Sequence, residues 1–169
     1  MQAEQTITPM LWFDGQAEAA AERYVAVFNG RPGGDPSGSR ITEVSRYTEA
    51  GPGEPGSAMT VAFELEGQAF SALNGGPEFS FNESVSFVVR CETQDEVDHF
   101  WNALTADGGE ESMCGWLKDR HGLSWQITPT ALMELLSDPD PERARRAMEA
   151  MFKMQKIDIA ELRRAAEAA

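Results

Sequence analysis

The chain has 169 residues, 41% apolar and 25% charged, which suits one soluble globular domain with a sizeable core and excludes a disordered or fibrous chain. Its net charge of −14 repels phosphate backbones, so nucleic acid is not an expected partner. No apolar run approaches the ~20 residues a membrane helix needs, and Met1-Gln2-Ala3-Glu4 has neither a basic nor an apolar leader segment, so a cytoplasmic protein is expected.

Residues 1–6 are polar and read as a loose start. Residues 7–13 read as a strand, and Asp14-Gly15 turns the chain into a helix over 16–28. There Ala17, Ala21, Tyr24, Val25 and Phe28 recur at helical spacing and should face the core. Asn29-Gly30 stops that helix. Residues 31–39 form a Gly- and Pro-rich loop, 41–47 alternate as a strand, and 49–56, with three Gly and two Pro, form a second loop. Strands over 59–65 and 68–73 join through Glu66-Gly67 as a hairpin, and Asn74-Gly75-Gly76-Pro77 breaks the sheet.

A link over 78–83, carrying Phe79 and Phe81, leads to a second copy of the pattern. A strand covers 84–91. Thr93 with Glu96 forms a capping box for a helix whose stripe is Val97, Phe100, Trp101 and Leu104. Asp107-Gly108-Gly109 ends it, and two or three short strands follow through 128, with a turn over 119–122. From Thr130 the tail reads as helices: Leu132, Leu135 and Leu136 mark one, residues 142–154 another, and Asp158 with Glu161 caps the last. Met148, Met151 and Met154 read as core, with a subunit interface as the alternative. Residues 138–169 hold seven acids and seven bases, so the whole excess, 21 acids against seven bases, lies in residues 1–137.

The repetition predicts an α+β fold of two βαβββ modules, residues 6–76 and 82–129, with a helical C-terminal extension over 130–169 in one domain. The two curved mixed sheets should form a cup, with the pocket between the halves. This plan, together with Ala72-Leu73-Asn74-Gly75-Gly76-Pro77, Ser86-Phe87-Val88-Val89, the run 114–127 and Lys153-Met154-Gln155-Lys156-Ile157-Asp158-Ile159, resembles the vicinal oxygen chelate superfamily. That superfamily includes glyoxalase I, extradiol dioxygenases and bleomycin-resistance proteins. Within it the chain is similar, over roughly residues 6–162, to the PhnB-like branch labelled 3-demethylubiquinone-9 3-methyltransferase.

The resemblance implies a divalent metal held by His on the first strand of a module and Glu on its last. The matching positions here are Thr8 and Ser84, with Ser71 and Gln126 on the last strands. Neutral hydroxyl and amide oxygens are weak ligands for a catalytic divalent ion, so neither metal nor other cofactor is expected. His99 reads as an exposed helix residue and His121 as a polar turn residue. Cys91 and Cys114 belong to no metal-spaced pair and read as free core thiols, a reactive thiol or a disulfide being the alternatives.

Strand alternation places Leu11, Phe13, Phe87, Val89, Trp125 and Ile127 under the helices. It leaves Met10, Trp12, Ser84, Ser86, Val88 and Gln126 on the open side. The candidate ligand-binding residues are therefore Met10, Trp12, Ser71, Asn74, Ser84, Ser86 and Gln126. Such a lining suits a small, neutral, planar or aromatic ligand. The expected function is a metal-free small-molecule-binding protein of the glyoxalase/bleomycin-resistance type, in a homodimer. The alternatives are an enzyme of lyase, isomerase or dioxygenase type, with Glu83 or His121 as acid-base candidates, and the methyltransferase of the family label. Against the last, Phe13-Asp14-Gly15-Gln16 has one Gly, and Gly75-Gly76 leads into Pro77 instead of a helix.

Overall fold

Period-two burial along the strands and a helical stripe along each helix set the architecture. The computed structural model describes residues 5–168; residues 1–4, part of the expected loose start, lie outside them. The chain divides into two compact units, residues 1–80 and 81–169. The division falls inside the link read from the sequence.

In the first unit the order is β1 (Met10–Phe13), α1 (Ala17–Asn29), β2 (Arg40–Arg46), β3 (Ala58–Leu65) and β4 (Gln68–Asn74). The sheet runs β1-β4-β3-β2, with β1 parallel to β4 and the other pairs antiparallel. The helix buries Ala17, Ala20, Ala21, Tyr24, Val27 and Phe28 against Leu11, Phe13, Val61, Phe63, Phe70 and Ala72. Val25, expected in that stripe, is only half-buried; Val27 takes its place. Leu65 pairs with Gln68, so Glu66 and Gly67 are the whole hairpin loop. Both have positive φ, 48° and 85°, as a two-residue turn matched to strand twist requires. β1 is shorter than expected: Ile7 is 82% exposed and precedes it.

The second unit repeats the order with β5 (Ser86–Cys91), α2 (Gln94–Thr105), β6 (Glu110–Glu111), β7 (Trp116–Lys118) and β8 (Ser124–Pro129). Its sheet runs β5-β8-β7-β6, again with a parallel first pair. The fold is thus α+β with two open four-stranded mixed sheets of one topology. Thr93 and Glu96 complete both bonds of the capping box. Val97, Phe100, Trp101 and Leu104 are no more than 2% exposed, each burial contributing roughly 1.5–3 kcal/mol. Phe87, expected under the helix, is half-buried and tilts against Trp125. The 119–122 turn is held by the buried Asp119, whose carboxylate accepts from the His121 and Leu123 amides and from Trp125 Nε1.

The tail folds as α3 (Thr130–Leu136), α4 (Pro141–Met151) and α5 (Ile159–Glu167). Leu132, Met154, Ile157 and Leu162 form its core, with Met151, Leu135 and Leu136 packed against it. The Met stripe therefore divides: Met154 is core and Met151 half-buried, while Met148 is 42% exposed. The stretch before α5 is tied to α2 and to the loop before β7. Gln94 donates to Ile157 O and accepts from the Ile159 amide, the Cys114 and Gly115 amides donate to Met154 O and Gln155 O, and Lys156 pairs with Asp98 at 2.7 Å. Cys91 is buried and Cys114 half-buried; both are free thiols. No helix among the described residues is long and apolar enough to cross a membrane.

Candidate functional site

Each sheet has one face under its helix and one face open. On the first, register places Met10, Ser71, Ala62 and Glu43 in one row and Trp12, Leu73, Thr60 and Ser45 in the next. Met10 is 57% exposed, while Leu11 and Phe13 beside it are buried, as alternation requires. The Thr60 and Ser45 hydroxyls bond each other. Met10, Trp12 and Ser71 thus share the open face.

Trp12 is held on several sides. Its Nε1 donates to Gly76 O at 2.8 Å, and Phe79 meets its ring edge-on with centroids 4.9 Å apart. Gly75 lies so close that a Cβ there would sit 2.2 Å from the indole. One face of the ring is therefore covered by backbone. Asn74 uses its whole side chain within the unit: Oδ1 accepts from the Ala17 amide at the start of α1, and Nδ2 donates to Ala58 O.

On the second sheet, Val88, Gln126 and Trp116 form one row and Ser86, Ser124 and Lys118 the next. Gln126 Nε2 donates to Ser86 Oγ at 2.9 Å across the two rows. Val88 is 55% exposed. Ser84 lies elsewhere than expected. It precedes β5 in a turn, where Asn82 Oδ1 accepts from its amide, and it is exposed. Trp116 was not singled out from the sequence, because a three-residue strand is too short to fix its phase; pairing with Gln126 puts it on the open face.

A cleft of about 460 Å³ opens at the carboxyl ends of β1 and β4, lined by Asp14, Glu18, Arg46, Tyr47, Asn74 and Gly75 among others. Arg46 is engaged there by Glu18 at 2.9 Å. Tyr47 donates its hydroxyl to Asn74 O at 2.6 Å. Pro52, Gly53 and Glu54 also line it, so the 49–56 loop shapes its mouth.

The donor set does not fit the metal of the resemblance. Thr8 is exposed ahead of β1, Ser84 is outside β5, and Ser71 and Gln126 are neutral. Among the described residues no three of His, Cys, Asp and Glu gather so as to hold a metal ion. His99, expected to be exposed, is half-buried with its ring edge-on to Phe100, and His121 is half-buried in the Asp119 turn.

These features define a class: an α+β protein of repeated βαβββ units whose sheets each present an open face of mostly neutral side chains. The family described as 3-demethylubiquinone-9 3-methyltransferase matches residues 5–128, and the chain belongs to it. A Bacillus cereus protein provisionally named 3-demethylubiquinone-9 3-methyltransferase, PhnB protein, is 35% identical, with 75% of this chain and 100% of that one covered and a TM-score of 0.65. A Pseudomonas aeruginosa protein of known structure, 18% identical, shares the fold over 75% of this chain and 98% of its own, with a TM-score of 0.56. No curated protein matches. The tail lies beyond the family match, so that match does not extend to residues 153–159.

Proposed function

We propose that the chain is a small-molecule-binding protein of the glyoxalase/bleomycin-resistance type that holds a neutral, planar or aromatic ligand on its open sheet faces without a metal. The observation that carries this is the Gln126–Ser86 pair beside Val88 and Trp116. An amide that can donate and accept, next to exposed apolar and indole surface, can orient an uncharged ring. Met10, Trp12 and Ser71 offer a similar mixture on the first sheet. Trp12 contributes the part of its ring that Gly75 and Phe79 leave open.

The neutral residues at the superfamily's metal positions support the metal-free part of the reading. An ion leaving its hydration shell needs anionic or imidazole donors to offset the loss. The methyl transfer in the family name finds no Gly-rich strand-to-helix turn here. We further propose a homodimer, supported by exposed Met133, Met148 and Phe152 on the tail, and a reducing, cytoplasmic setting, supported by two free thiols. Light scattering should give about twice the chain's 18.5 kDa; a mass near 18.5 kDa would contradict the dimer.

A thermal-shift screen of small aromatics, uncharged and anionic, tests the function, with the hits expected among the uncharged ones. Hits should raise the melting temperature, and Gln126→Ala should lose most of that rise. Hits confined to anionic compounds, or a response unchanged in Gln126→Ala, would reject the reading.

A further inference from the structure

Ser124 is 1% exposed, and its Oγ has no hydrogen-bond partner. Buried hydroxyls are almost always satisfied, so this one asks for a group that is not part of the chain. It borders a hollow of about 150 Å³ also lined by Glu83, Glu110, Ser112, Trp116 and Lys118. A water's share of liquid volume is about 30 Å³, so the space exceeds a single water and can take a small ring.

The charges around the hollow narrow the occupant. Lys118 is already engaged by Glu83 and lies 3.8 Å from Glu110. The bond to Lys118 holds the Glu83 carboxyl below its usual range, and Glu83 holds the ammonium above its own. Three carboxylates, with Glu111 also on the lining, against one ammonium leave a negative surround, and the ammonium is not free to receive an anion. Trp116 supplies an aromatic wall.

We propose that this hollow is a small-molecule subsite that takes an uncharged ring compound bearing a hydroxyl, with Ser124 Oγ as its buried hydrogen-bond partner. It adjoins the Gln126–Ser86 pair, since Ser124 lies opposite Ser86 and Trp116 opposite Gln126 in the register, and so rests on the same reading of that face, with Ser124 in place of Gln126 as the bonding group.

The test is an NMR amide-shift titration of the full chain with phenol, and separately with benzoate. Phenol should shift the Ser124 and Trp116 amides saturably, and benzoate should not. Ser124→Ala should weaken phenol about tenfold, the worth of one good hydrogen bond, and should leave the melting temperature unchanged or raised, because it removes a buried hydroxyl that has no partner. The proposal is overturned by phenol shifts that do not saturate or that keep their wild-type affinity in Ser124→Ala, by equal binding of benzoate, or by a lowered melting temperature in Ser124→Ala.

Discussion

The first module starts its helix with a borrowed cap, while the second carries its own. Gln16 makes no side-chain capping bond for α1, and Asn74, 57 residues away on β4, accepts from the Ala17 amide instead. In α2, Thr93 and Glu96 close the helix start from within three residues. The corresponding ends of the modules differ as well. Beside α1 lies the 460 Å³ cleft, whereas beside α2 the Gln94 side chain grips Ile157 and Ile159 and the tail covers the place. One topology thus supports two ways of finishing the same end, an open cleft or a docked segment. The second ties the tail to its module through backbone bonds as well as apolar burial.

Breaking the docked end should have the largest effect. Ile157 is fully buried, and Ile157→Ala should cost about 2–4 kcal/mol in urea unfolding, with the tail amides losing exchange protection first. A loss under ~1 kcal/mol would mean that the tail packs only loosely. At the open end, Gly75→Ala must push the Trp12 ring aside and should cost about 1–3 kcal/mol, with altered tryptophan fluorescence and little change in the tail.

The two caps allow a direct comparison. Asn74→Ala removes the α1 cap and leaves Ala58 O without its donor, so it should cost about 1–2 kcal/mol. Thr93→Ala should cost about 1 kcal/mol. Exchange at Ala17 should rise in the first variant and at Glu96 in the second; any crossover would break the distinction. The smallest effect concerns pH. Lys156, bonded to Asp98, holds its carboxyl below the ordinary 3.8. The pair's contribution is then complete above pH 3.8 and is lost as pH falls through the lower folded value. Both partners are well exposed, so the difference between wild type and Asp98→Asn should stay under about 1 kcal/mol at neutral pH and vanish in acid. A difference that grew in acid would show the sign to be wrong.

The same distinction explains what was legible in the sequence. The α2 capping box, its apolar stripe and the Glu66-Gly67 hairpin are local signals, and each stands where the residues place it. The Asn74 cap, the three donors on Asp119 and the packing of Trp12 on Gly75 join distant or oddly spaced residues that no periodicity marks. On the open faces, alternation placed Met10, Trp12, Ser86, Val88 and Gln126 correctly. It misplaced Ser84, because the Asn82 side chain turns the chain just before β5. The Met stripe pointed to a packed surface without saying which residues turned inward; Met154 did.

The central claim, a neutral ligand held without a metal, is tested most directly by measuring the affinity of a thermal-shift hit before and after dialysis against a chelator. The account predicts the same affinity in both samples, reduced in Gln126→Ala. Affinity lost to the chelator and restored by added zinc, iron or manganese would contradict it.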